Sequence, residues 1–217
     1  MDMPNSRPVV VFGCGGHGRV IADALLRAQE PVAGFLDDDP PAATVDGLPV
    51  LGSRECLGRA DFLLAHAVII GVGDAAIRRA LSTAVLDRRG ALATAVHPAA
   101  VIARGVVIGA GTAIMAGAIV NTGSSIGRFA VVNTGATVDH DCVIEDGVHV
   151  SPGCHLAGAV VCAADAFIGT GANVIPKIRI GARAVVAAGA TVIADVPPGV
   201  LVAGRPAVVK RAGRPPT

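Results

Sequence analysis

Residues 101–196 read, in groups of six, VIARGV VIGAGT AIMAGA IVNTGS SIGRFA VVNTGA TVDHDC VIEDGV HVSPGC HLAGAV VCAADA FIGTGA NVIPKI RIGARA VVAAGA TVIADV. The sixteen groups follow one another without an insertion, and the second place is Ile, Val or Leu in every group except the one that holds Cys162. A helix cannot carry this pattern, because its apolar positions recur every three to four residues. A period of six is typical of a parallel β-helix, in which each group forms a short strand and a turn.

The geometry of such a β-helix follows from the period. Three groups make one triangular coil, so residues 18 apart stack in adjacent coils, and sixteen groups give five coils and one further side. The second-place side chains point inward and form a column of mostly β-branched residues. The fifth place is Gly in nine groups, which suits corners that need a positive φ. The repeat therefore predicts a triangular prism, which we expect to end at residues 195–199.

The composition excludes several classes of protein. With 217 residues the chain has room for one large or two small domains. A net charge of +1 and an aromatic content of 2% give no basis for binding nucleic acid. The apolar runs are too short for a membrane span, and we expect no secretory signal because the N-terminus lacks its basic and apolar regions. Five cysteines without a C-x-x-C pair indicate free thiols in the reducing cytoplasm.

A second pattern lies near the N-terminus. The apolar residues 8–12 (PVVVF) predict a strand, and the following residues 13–18 (GCGGHG) satisfy G-x-G-x-x-G. Helical spacing continues over residues 19–28, and a second strand over residues 32–36 leads into the acidic residues 37–39. This order predicts an anion-binding turn, because the free N–H groups at a helix N-terminus hold phosphate well.

The remaining N-terminal elements complete a small α/β domain. They are strands over residues 48–51, 67–71 and 91–96 and helices over residues 53–59 and 74–89, the second of them capped by Asp74. About four parallel strands result, which is too few for a six-stranded dinucleotide fold. His97-Pro98 marks the boundary. We therefore predict a small Rossmann-like α/β domain over residues 1–97 and an all-β parallel β-helix with a C-terminal tail over residues 98–217.

One group departs from the small and apolar pattern of the repeat. TVDHDC places Asp139, His140 and Asp141 together. A neutral histidine is a suitable general base near pH 7, and a neighbouring carboxylate fixes its tautomer. Gly158 follows His140 by 18 residues, so its backbone N–H is expected beside the ring as a candidate oxyanion donor. The competing interpretation is a solvated corner without a chemical role.

Two further histidines lie close by in the repeat. His149 and His155 occupy the first places of successive groups and therefore face different sides of the prism. His149 follows His140 by nine residues, which is half a coil. We expect no metal site from these histidines within one chain, and ligands shared between subunits stay open. Structural hydrogen bonding is the alternative role of His149 and His155.

Five segments are informative in combination: GCGGHGRV, LDDD, NTGATVDHDC, HVSPGCHLAG and VAGRPA. Jointly they resemble the bacterial sugar acetyltransferases, which belong to the left-handed hexapeptide-repeat acyltransferases, and the resemblance extends over nearly the whole chain. The family includes sialic acid O-acetyltransferases and the N-acetyltransferases of nucleotide-linked 4-amino sugars. The resemblance implies a left-handed β-helix, a homotrimer, acetyl-CoA between adjacent prisms, and a nucleotide sugar rather than a nicotinamide on the α/β domain.

The resemblance also implies roles for individual residues. The family's catalytic histidine corresponds to His140 with Asp141 as its partner, although Asp139 is a second carboxylate and the sequence leaves the choice open. Contacts with the nucleotide sugar are implied for Gly13, Gly15, Gly16, His17, Asp37, Asp38, Asn133 and His149. Contacts with acetyl-CoA are implied for Gly158, Thr170, Ala188 and Arg205.

We therefore expect an acetyl-CoA-dependent N-acetyltransferase that acts on the amine of a UDP- or GDP-linked 4-amino-6-deoxy sugar in surface glycan synthesis. A sugar O-acetyltransferase of the sialic acid type is the alternative, because His140 would serve a hydroxyl equally well. A nicotinamide-dependent oxidoreductase would explain the glycine-rich turn and Asp37 but leaves the sixteen groups unexplained. A non-enzymatic trimeric scaffold would explain the repeat but leaves residues 139–141 without a role.

Overall fold

The computed structural model describes residues 7–212 and divides them into two compact units, of which one ends at Pro98 and the other begins at Ala99. We call the first the α/β unit and the second the prism. None of the helices within residues 7–212 is long and apolar enough to cross a membrane.

The α/β unit contains the four-stranded parallel sheet that the sequence predicts, in the order β2-β1-β5-β6. Its elements are β1 (Val9–Phe12), α1 (Gly16–Arg27), β2 (Val32–Leu36), β3 (Thr44–Val45), β4 (Leu48–Pro49), a 3₁₀ helix (Arg54–Gly58), α2 (Ala60–Ala65), β5 (Ala67–Ile70), α3 (Ala75–Asp87), β6 (Ala91–Leu92) and β7 (Ala95–Val96). β1 is buried along its whole length, as expected of a central strand in a parallel sheet.

Several elements of this unit differ from the sequence prediction. α1 begins at Gly16, three residues before the predicted start, and the N–H of Arg19 already bonds to the carbonyl of Gly15. The segment predicted as one strand over residues 91–96 forms two short strands, and the β3–β4 hairpin was not predicted. The side chain of Asp74 caps α3 as predicted.

The prism is the left-handed parallel β-helix that the resemblance implies. Its strands are β8 (Val101–Ile102), β9 (Val107–Ile108), β10 (Ala113–Ile114), β11 (Ile119–Val120), β12 (Ser125–Ile126), β13 (Val131–Val132), β14 (Thr137–Val138), β15 (Val143–Ile144), β16 (His149–Val150), β17 (His155–Leu156), β18 (Val161–Cys162), β19 (Phe167–Ile168), β20 (Asn173–Val174), β21 (Arg179–Ile180), β22 (Val185–Val186), β23 (Thr191–Val192), β24 (Val200–Ala203) and β25 (Val208–Ala212). Residues 18 apart pair in parallel, as Thr137 does with His155, so the predicted stacking is confirmed.

The strands form three faces, which we name after a strand near the middle of each. The β13 face contains β10, β13, β16, β19, β22, β24 and β25. The β14 face contains β8, β11, β14, β17, β20 and β23, and the β15 face contains β9, β12, β15, β18 and β21. From β8 to β24, consecutive strands along the chain therefore lie on different faces, and each edge of the prism is a column of corners.

The core of the prism is the predicted column of second-place side chains. Fourteen of the sixteen are buried, and the two half-buried ones, Ile102 and Ile108, belong to the first coil. Cys162, the exception to the aliphatic pattern, is fully buried as well. Because burial of a Val or Ile side chain is worth about 1.5–3 kcal/mol, this column stabilises the stack.

The corners share one backbone conformation. The fifth-place residue has a positive φ in fifteen of the sixteen groups, and nine of these residues are Gly. The other six are Phe129, Asp141, Ala159, Asp165, Lys177 and Arg183. The left-handed conformation of Asp141 is therefore a property of its place in the repeat, shared with residues that have no reactive neighbour.

The stack continues beyond its predicted end at residues 195–199. Val196 forms a bridge with Ile180, and Leu201 of β24 pairs with Val185, so the spacing falls from 18 to 16 residues in the last coil. β25 then pairs with β24 in the antiparallel direction. The predicted end was wrong because this coil joins the hydrogen-bonded stack without keeping the six-residue pattern.

Candidate active site

A histidine and an aspartate meet at one edge of the prism. This edge, where the β14 face turns into the β15 face, is called the His140 edge. His140 Nδ1 lies 2.8 Å from Asp141 Oδ2. A carboxylate only accepts hydrogen bonds, so Nδ1 carries the proton in this pair and Nε2 of the neutral ring has a free lone pair. Both side chains are exposed in the single chain, at 57% and 66%.

The neighbouring coils hold this pair on both sides. His140 and Asp141 are the fourth and fifth places of one group, and the φ of 60° at Asp141 turns the chain between them and the next strand. The N–H of Asp141 donates to the carbonyl of Thr122 at 3.0 Å, and the carbonyl of His140 accepts from the N–H of Ala159 at 2.8 Å. The pair is therefore fixed by backbone hydrogen bonds one coil before and one coil after it.

The ring of His140 rests on the backbone of Gly158. A β-carbon placed on Gly158 would lie 2.5 Å from Nε2 and 2.6 Å from Cε1 of His140, which is closer than real β-carbons approach other atoms. Gly158 is itself buried. The position needs glycine because the imidazole occupies the space of a side chain.

The N–H of Gly158 is open at this point. The fourth-place N–H is bonded to a side chain in four other groups: Arg128 to Asp146 Oδ1, Thr134 to Asn133 Oδ1, His140 to Asp139 Oδ1, and Ala164 to Glu145 Oε2. In the group of Gly158 the preceding residue is Ala157, which has no acceptor, and within residues 7–212 the Gly158 N–H has no hydrogen-bond partner. An N–H without a partner, placed beside a histidine that is a candidate general base, is an arrangement that can stabilise an oxyanion.

The second carboxylate of the group has a different function from the first. Asp139 Oδ1 accepts from the backbone N–H of His140 at 2.8 Å and from Asn121 Nδ2 at 2.9 Å. The buried Ser124 donates to the carbonyl of Asp139 at 2.6 Å and accepts from the N–H of Cys142 at 3.0 Å. Asp139 therefore holds the main chain of the corner and does not contact the imidazole through this oxygen.

These contacts set the protonation of the site. The hydrogen bond to Asp141 raises the pKa of His140 above its ordinary value of 6.5, and the charges of Asp139 and Asp141 act in the same direction. The hydrogen bond from Asn121 lowers the pKa of Asp139, so this carboxylate is ionised at pH 7. Because the basic form of His140 is the neutral one, its population rises as the pH passes upward through the raised pKa.

A groove on the β14 face adjoins the His140 edge. It has a volume of about 370 Å³ and is lined by Thr137, Asp139, His155, Asn173, Ile175 and Pro176 among others. Thr137 Oγ1 and His155 Nδ1 lie 2.9 Å apart and join two strands of this face. The groove offers an extended ligand a path along the prism from the corner that carries the histidine.

The glycine-rich turn of the α/β unit contains two kinds of glycine. Gly13 has a φ of 98°, and a β-carbon there would lie 3.0 Å from the carbonyl oxygen of Gly71. A β-carbon on Gly18 would overlap the carbonyl oxygen of Gly13. Around Gly15 and Gly16, in contrast, a β-carbon would meet no atom within 4 Å. Gly13 and Gly18 are therefore required for close packing, whereas Gly15 and Gly16 leave the N-terminus of α1 open to an anion.

Both predicted acidic residues after β2 already have partners in the protein. Asp37 accepts from the N–H of Cys14 at 2.8 Å and from the N–H of Asp39 at 3.0 Å. Burial raises the pKa of Asp37, but these hydrogen bonds outweigh it and hold the pKa below the ordinary value. Asp38 accepts from Arg54 Nε at 2.7 Å. Asp37 therefore ties the end of β2 to the glycine-rich turn.

His17 lies in the first turn of α1. Burial lowers its pKa to about 4, with a smaller contribution from the charge of Arg78, so the ring is neutral at pH 7. Arg78 is 1% exposed and donates to the carbonyls of Val72 at 3.0 Å and Gly73 at 2.9 Å. Arg78 thus holds the loop that follows β5, at the same edge of the sheet as the glycine-rich turn.

The residues expected to bind acetyl-CoA lie on two edges. Thr170 and Ala188 occupy the edge where the β13 face turns into the β14 face, which we call the Thr170 edge. The N–H of Gly189 donates to the carbonyl of Thr170 at 2.8 Å, and Arg205 Nε donates to the carbonyl of Gly189 at 2.7 Å. Thr170, Ala188 and Arg205 therefore form one patch, whereas Gly158 lies across the β14 face on the His140 edge.

Asn133 and His149, the two prism residues that are predicted to contact the sugar, lie next to each other. Asn133 Nδ2 lies 3.3 Å from His149 Nε2, and the buried ring of His149 packs on Phe167 with centroids 5.3 Å apart. They belong to the β13 face and its border, not to the His140 edge. Within residues 7–212, no three His, Cys, Asp or Glu side chains are arranged to hold a metal ion.

Three residues of these sites were missed in the sequence. Asn121 precedes Asp139 by 18 residues and Ser124 precedes Cys142 by 18, so the stacking period was sufficient to find both. Arg78 is different, because a charged residue in a helix is normally assigned to the exposed face. Nothing in the sequence around Arg78 indicates that its guanidinium donates hydrogen bonds to two loop carbonyls.

Comparison with known proteins covers both units. Residues 8–85 match the family described as the PglD N-terminal domain. A UDP-N-acetylbacillosamine N-acetyltransferase from Bacillus subtilis strain 168 is 38% identical over 121 residues, which are 49% of this chain. The matched stretch is half the length of that curated relative, at 50%.

Solved structures, among them the following two, match almost the entire chain. The acetyltransferase domain of PglB from Neisseria gonorrhoeae FA1090, in complex with acetyl coenzyme A, is 35% identical with a TM-score of 0.90, and the match covers 94% of this chain and 100% of that one. A variant of the perosamine N-acetyltransferase from Caulobacter crescentus, in complex with CoA and GDP-perosamine, is 40% identical with a TM-score of 0.90 and coverages of 94% and 97%.

Replacement of Gly158 by Ala tests the packing of the ring. The added β-carbon would lie 2.5 Å from Nε2, so we expect the imidazole to move and its hydrogen bond to Asp141 to be lost. A crystal structure of Gly158→Ala measures this directly. Gly58→Ala is the control, because its β-carbon meets no atom within 4 Å. An unmoved ring in Gly158→Ala would contradict the predicted clash.

The titration of His140 tests the carboxylate assignment. The pKa of His140 should lie above 6.5 in the unaltered protein, because the hydrogen bond to Asp141 stabilises the imidazolium. Asp141→Asn should lower that pKa, as followed by the NMR shift of the imidazole Cε1 proton against pH. Asp165→Asn removes a carboxylate from another edge and should leave the titration unchanged. If Asp141→Asn leaves the midpoint where it was, Asp141 does not orient the ring.

Proposed function

The chain belongs to the hexapeptide-repeat sugar N-acetyltransferases, and on this basis we propose that it transfers the acetyl group of acetyl-CoA to the amine of a nucleotide-linked amino sugar. The relatives support both substrates, since one structure contains acetyl coenzyme A and another contains CoA and GDP-perosamine. The acceptor is a UDP- or GDP-linked 4-amino-6-deoxy sugar, and the product serves surface glycan synthesis. The observation that carries the proposal is the packing of His140 Nε2 against Gly158, whose N–H is open.

The reaction follows from this arrangement. The amine nitrogen attacks the thioester carbon, which forms the C–N bond and places negative charge on the carbonyl oxygen. The Gly158 N–H stabilises that oxyanion, and His140 Nε2 takes a proton from the nitrogen. The C–S bond then breaks, and the thiolate takes the proton back from Nε2 to leave as CoA. Asp141 holds the Nδ1–H throughout and stabilises the imidazolium, so no acyl-enzyme is required.

The α/β unit binds the nucleotide in this proposal. The open N-terminus of α1 at Gly15 and Gly16 receives the diphosphate, because unpaired N–H groups and the helix dipole favour an anion. His17, which is neutral at pH 7, hydrogen-bonds an uncharged group of the ligand. Asp37 acts indirectly, by anchoring the turn through Cys14. Asn133 and His149 are assigned to the sugar from the family resemblance.

Two alternatives receive less support. A nicotinamide oxidoreductase would use the acid after β2 to bind a ribose hydroxyl, but both oxygens of Asp37 already accept backbone hydrogen bonds. O-acetylation would use the same base, but the relatives from Bacillus subtilis and Caulobacter crescentus are N-acetyltransferases. The five cysteines, all free thiols, support a cytoplasmic location for the proposed enzyme.

We expect the enzyme to act as a homotrimer. Val101 and Val107, on the β14 and β15 faces, are 60% and 67% exposed, and closed three-fold packing of prisms would cover such residues. The family resemblance assigns acetyl-CoA to the groove between adjacent prisms, which would bring the His140 edge of one copy to the Thr170 edge of another. Sedimentation velocity at micromolar concentration should give the trimer mass. A monomer under these conditions would leave the coenzyme site incomplete and contradict the assignment.

Turnover with matched acceptors tests the function. Released CoA should appear when acetyl-CoA is mixed with a UDP- or GDP-linked 4-amino-6-deoxy sugar. His140→Ala should lower kcat by about 10²–10⁴, the usual effect of losing a general base, with little change in the KM of acetyl-CoA. His66→Ala, in the α/β unit and away from the turn, is the control. A kcat/KM for the matched hydroxy sugar at or above that for the amino sugar would favour O-acetylation instead.

A further inference from the structure

Asp139 carries a charge that its structural contacts do not require. Its Oδ1 accepts from the N–H of His140 at 2.8 Å and from the amide of Asn121 at 2.9 Å. At the same place of the preceding group, Asn133 Oδ1 makes the equivalent bond to the N–H of Thr134, also at 2.8 Å. A neutral amide is therefore sufficient to hold this corner of the prism, and the negative charge of Asp139 has another use.

The second oxygen of this carboxylate remains available. Within residues 7–212, Asp139 Oδ2 accepts no hydrogen bond, and no Lys or Arg forms an ion pair with Asp139. Asp139 lines the groove on the β14 face together with Thr137 and His155. The corner thus holds two carboxylates beside one imidazole. The carboxylate of Asp141 contacts the ring, whereas that of Asp139 contacts neither the ring nor a cation in the part of the chain that the structure describes.

We propose that Asp139 is a specificity-determining residue that favours an amine acceptor over a hydroxyl by holding a negative charge beside the general base. This inference rests on the proposed function and adds the chemical basis of its acceptor choice. A primary amine with a pKa near that of an α-amino group, about 7.7–8.0, is largely an ammonium ion at pH 7. A carboxylate attracts that ion, whereas a neutral hydroxyl gains nothing from the charge and must still displace its water.

The proton balance is consistent with this order of events. The ammonium group binds near Asp139 and loses one proton to solvent, which leaves a neutral amine with a free electron pair. The amine attacks the thioester as described above, its second proton passes through His140 Nε2 to the departing thiolate, and the amide forms. The net reaction converts an ammonium sugar and acetyl-CoA into the N-acetyl sugar, CoA and one released proton.

Asp139→Asn separates the charge from the structural role. The substituted side chain keeps an oxygen that can accept from the N–H of His140, as Asn133 accepts from the N–H of Thr134 in the preceding group. It carries no charge. We expect kcat/KM for the nucleotide-linked amino sugar to fall about tenfold to hundredfold, the range for a charge-assisted hydrogen bond, mainly through KM. The value for the matched hydroxy sugar should fall by a much smaller factor, because the loss of this charge affects it only through a lower pKa of His140. Asp165→Asn, on a different edge, should change neither.

The comparison of two acceptors distinguishes this role from a positioning role. If Asp139 acts through the orientation or basicity of His140, both acceptors should lose the same factor, and that result would overturn the proposal. Retention of full activity with the amino sugar would overturn it as well. The melting temperature of Asp139→Asn should match that of the unaltered protein, because the corner keeps its hydrogen bonds.

A binding measurement keeps the inference separate from the proposed function. Calorimetry at pH 7 with CoA present should give tighter binding of the amino sugar than of the hydroxy sugar, and Asp139→Asn should remove that difference. If Asp139→Asn removes the difference but no acetyl transfer occurs with any amino sugar, the proposed function is wrong and the attraction of Asp139 for the ammonium group holds. If transfer occurs and Asp139→Asn keeps the difference in binding, the assignment is wrong and the function holds.

Discussion

Fifteen of the sixteen corners of the prism turn on one residue in the left-handed backbone conformation, and the pair of His140 and Asp141 is a consequence of that requirement. The conformation recurs at the fifth place of the groups, where glycine adopts it most easily. A residue with a side chain at this place must project it at the edge of the prism. Asp141 does so directly beside the fourth-place His140, so two neighbours in sequence become a hydrogen-bonded pair without a loop to arrange them.

Stacking supplies the rest of the site. Asn121 and Asp139 meet because they are one coil apart, and His140 lies against Gly158 for the same reason. Three successive coils therefore contribute Asn121, the imidazole of His140 and the open N–H of Gly158 to one edge. Since each coil is tied to the next by parallel hydrogen bonds, the relative positions of these groups are as rigid as the stack itself.

The sequence was sufficient for much of the prism but for less of the α/β unit. A strict period of six determines which residues stack, so the position of Gly158 beside His140 followed from arithmetic. The last coil was not predicted because its paired residues are 16 rather than 18 positions apart. Hydrogen bonds keep it in the stack although its sequence lacks the six-residue pattern. The hydrogen bond from Cys14 to Asp37 joins two loops that are distant in sequence. The carbonyls of Val72 and Gly73 that bind Arg78 are near it in sequence, but their orientation depends on how the loop after β5 folds, and no sequence pattern reveals it.

The packing of an imidazole on a glycine one coil away also limits how such a chain can change in length. Loss of a single group of six between the two would turn the following coils by one side and bring Ala164 under the ring, where a methyl group would meet the imidazole. Loss or gain of complete coils outside the span from Asn121 to Gly158 would leave the edge intact. Related chains can therefore differ in height by multiples of 18 residues, while the segment between the histidine and the glycine keeps a fixed length.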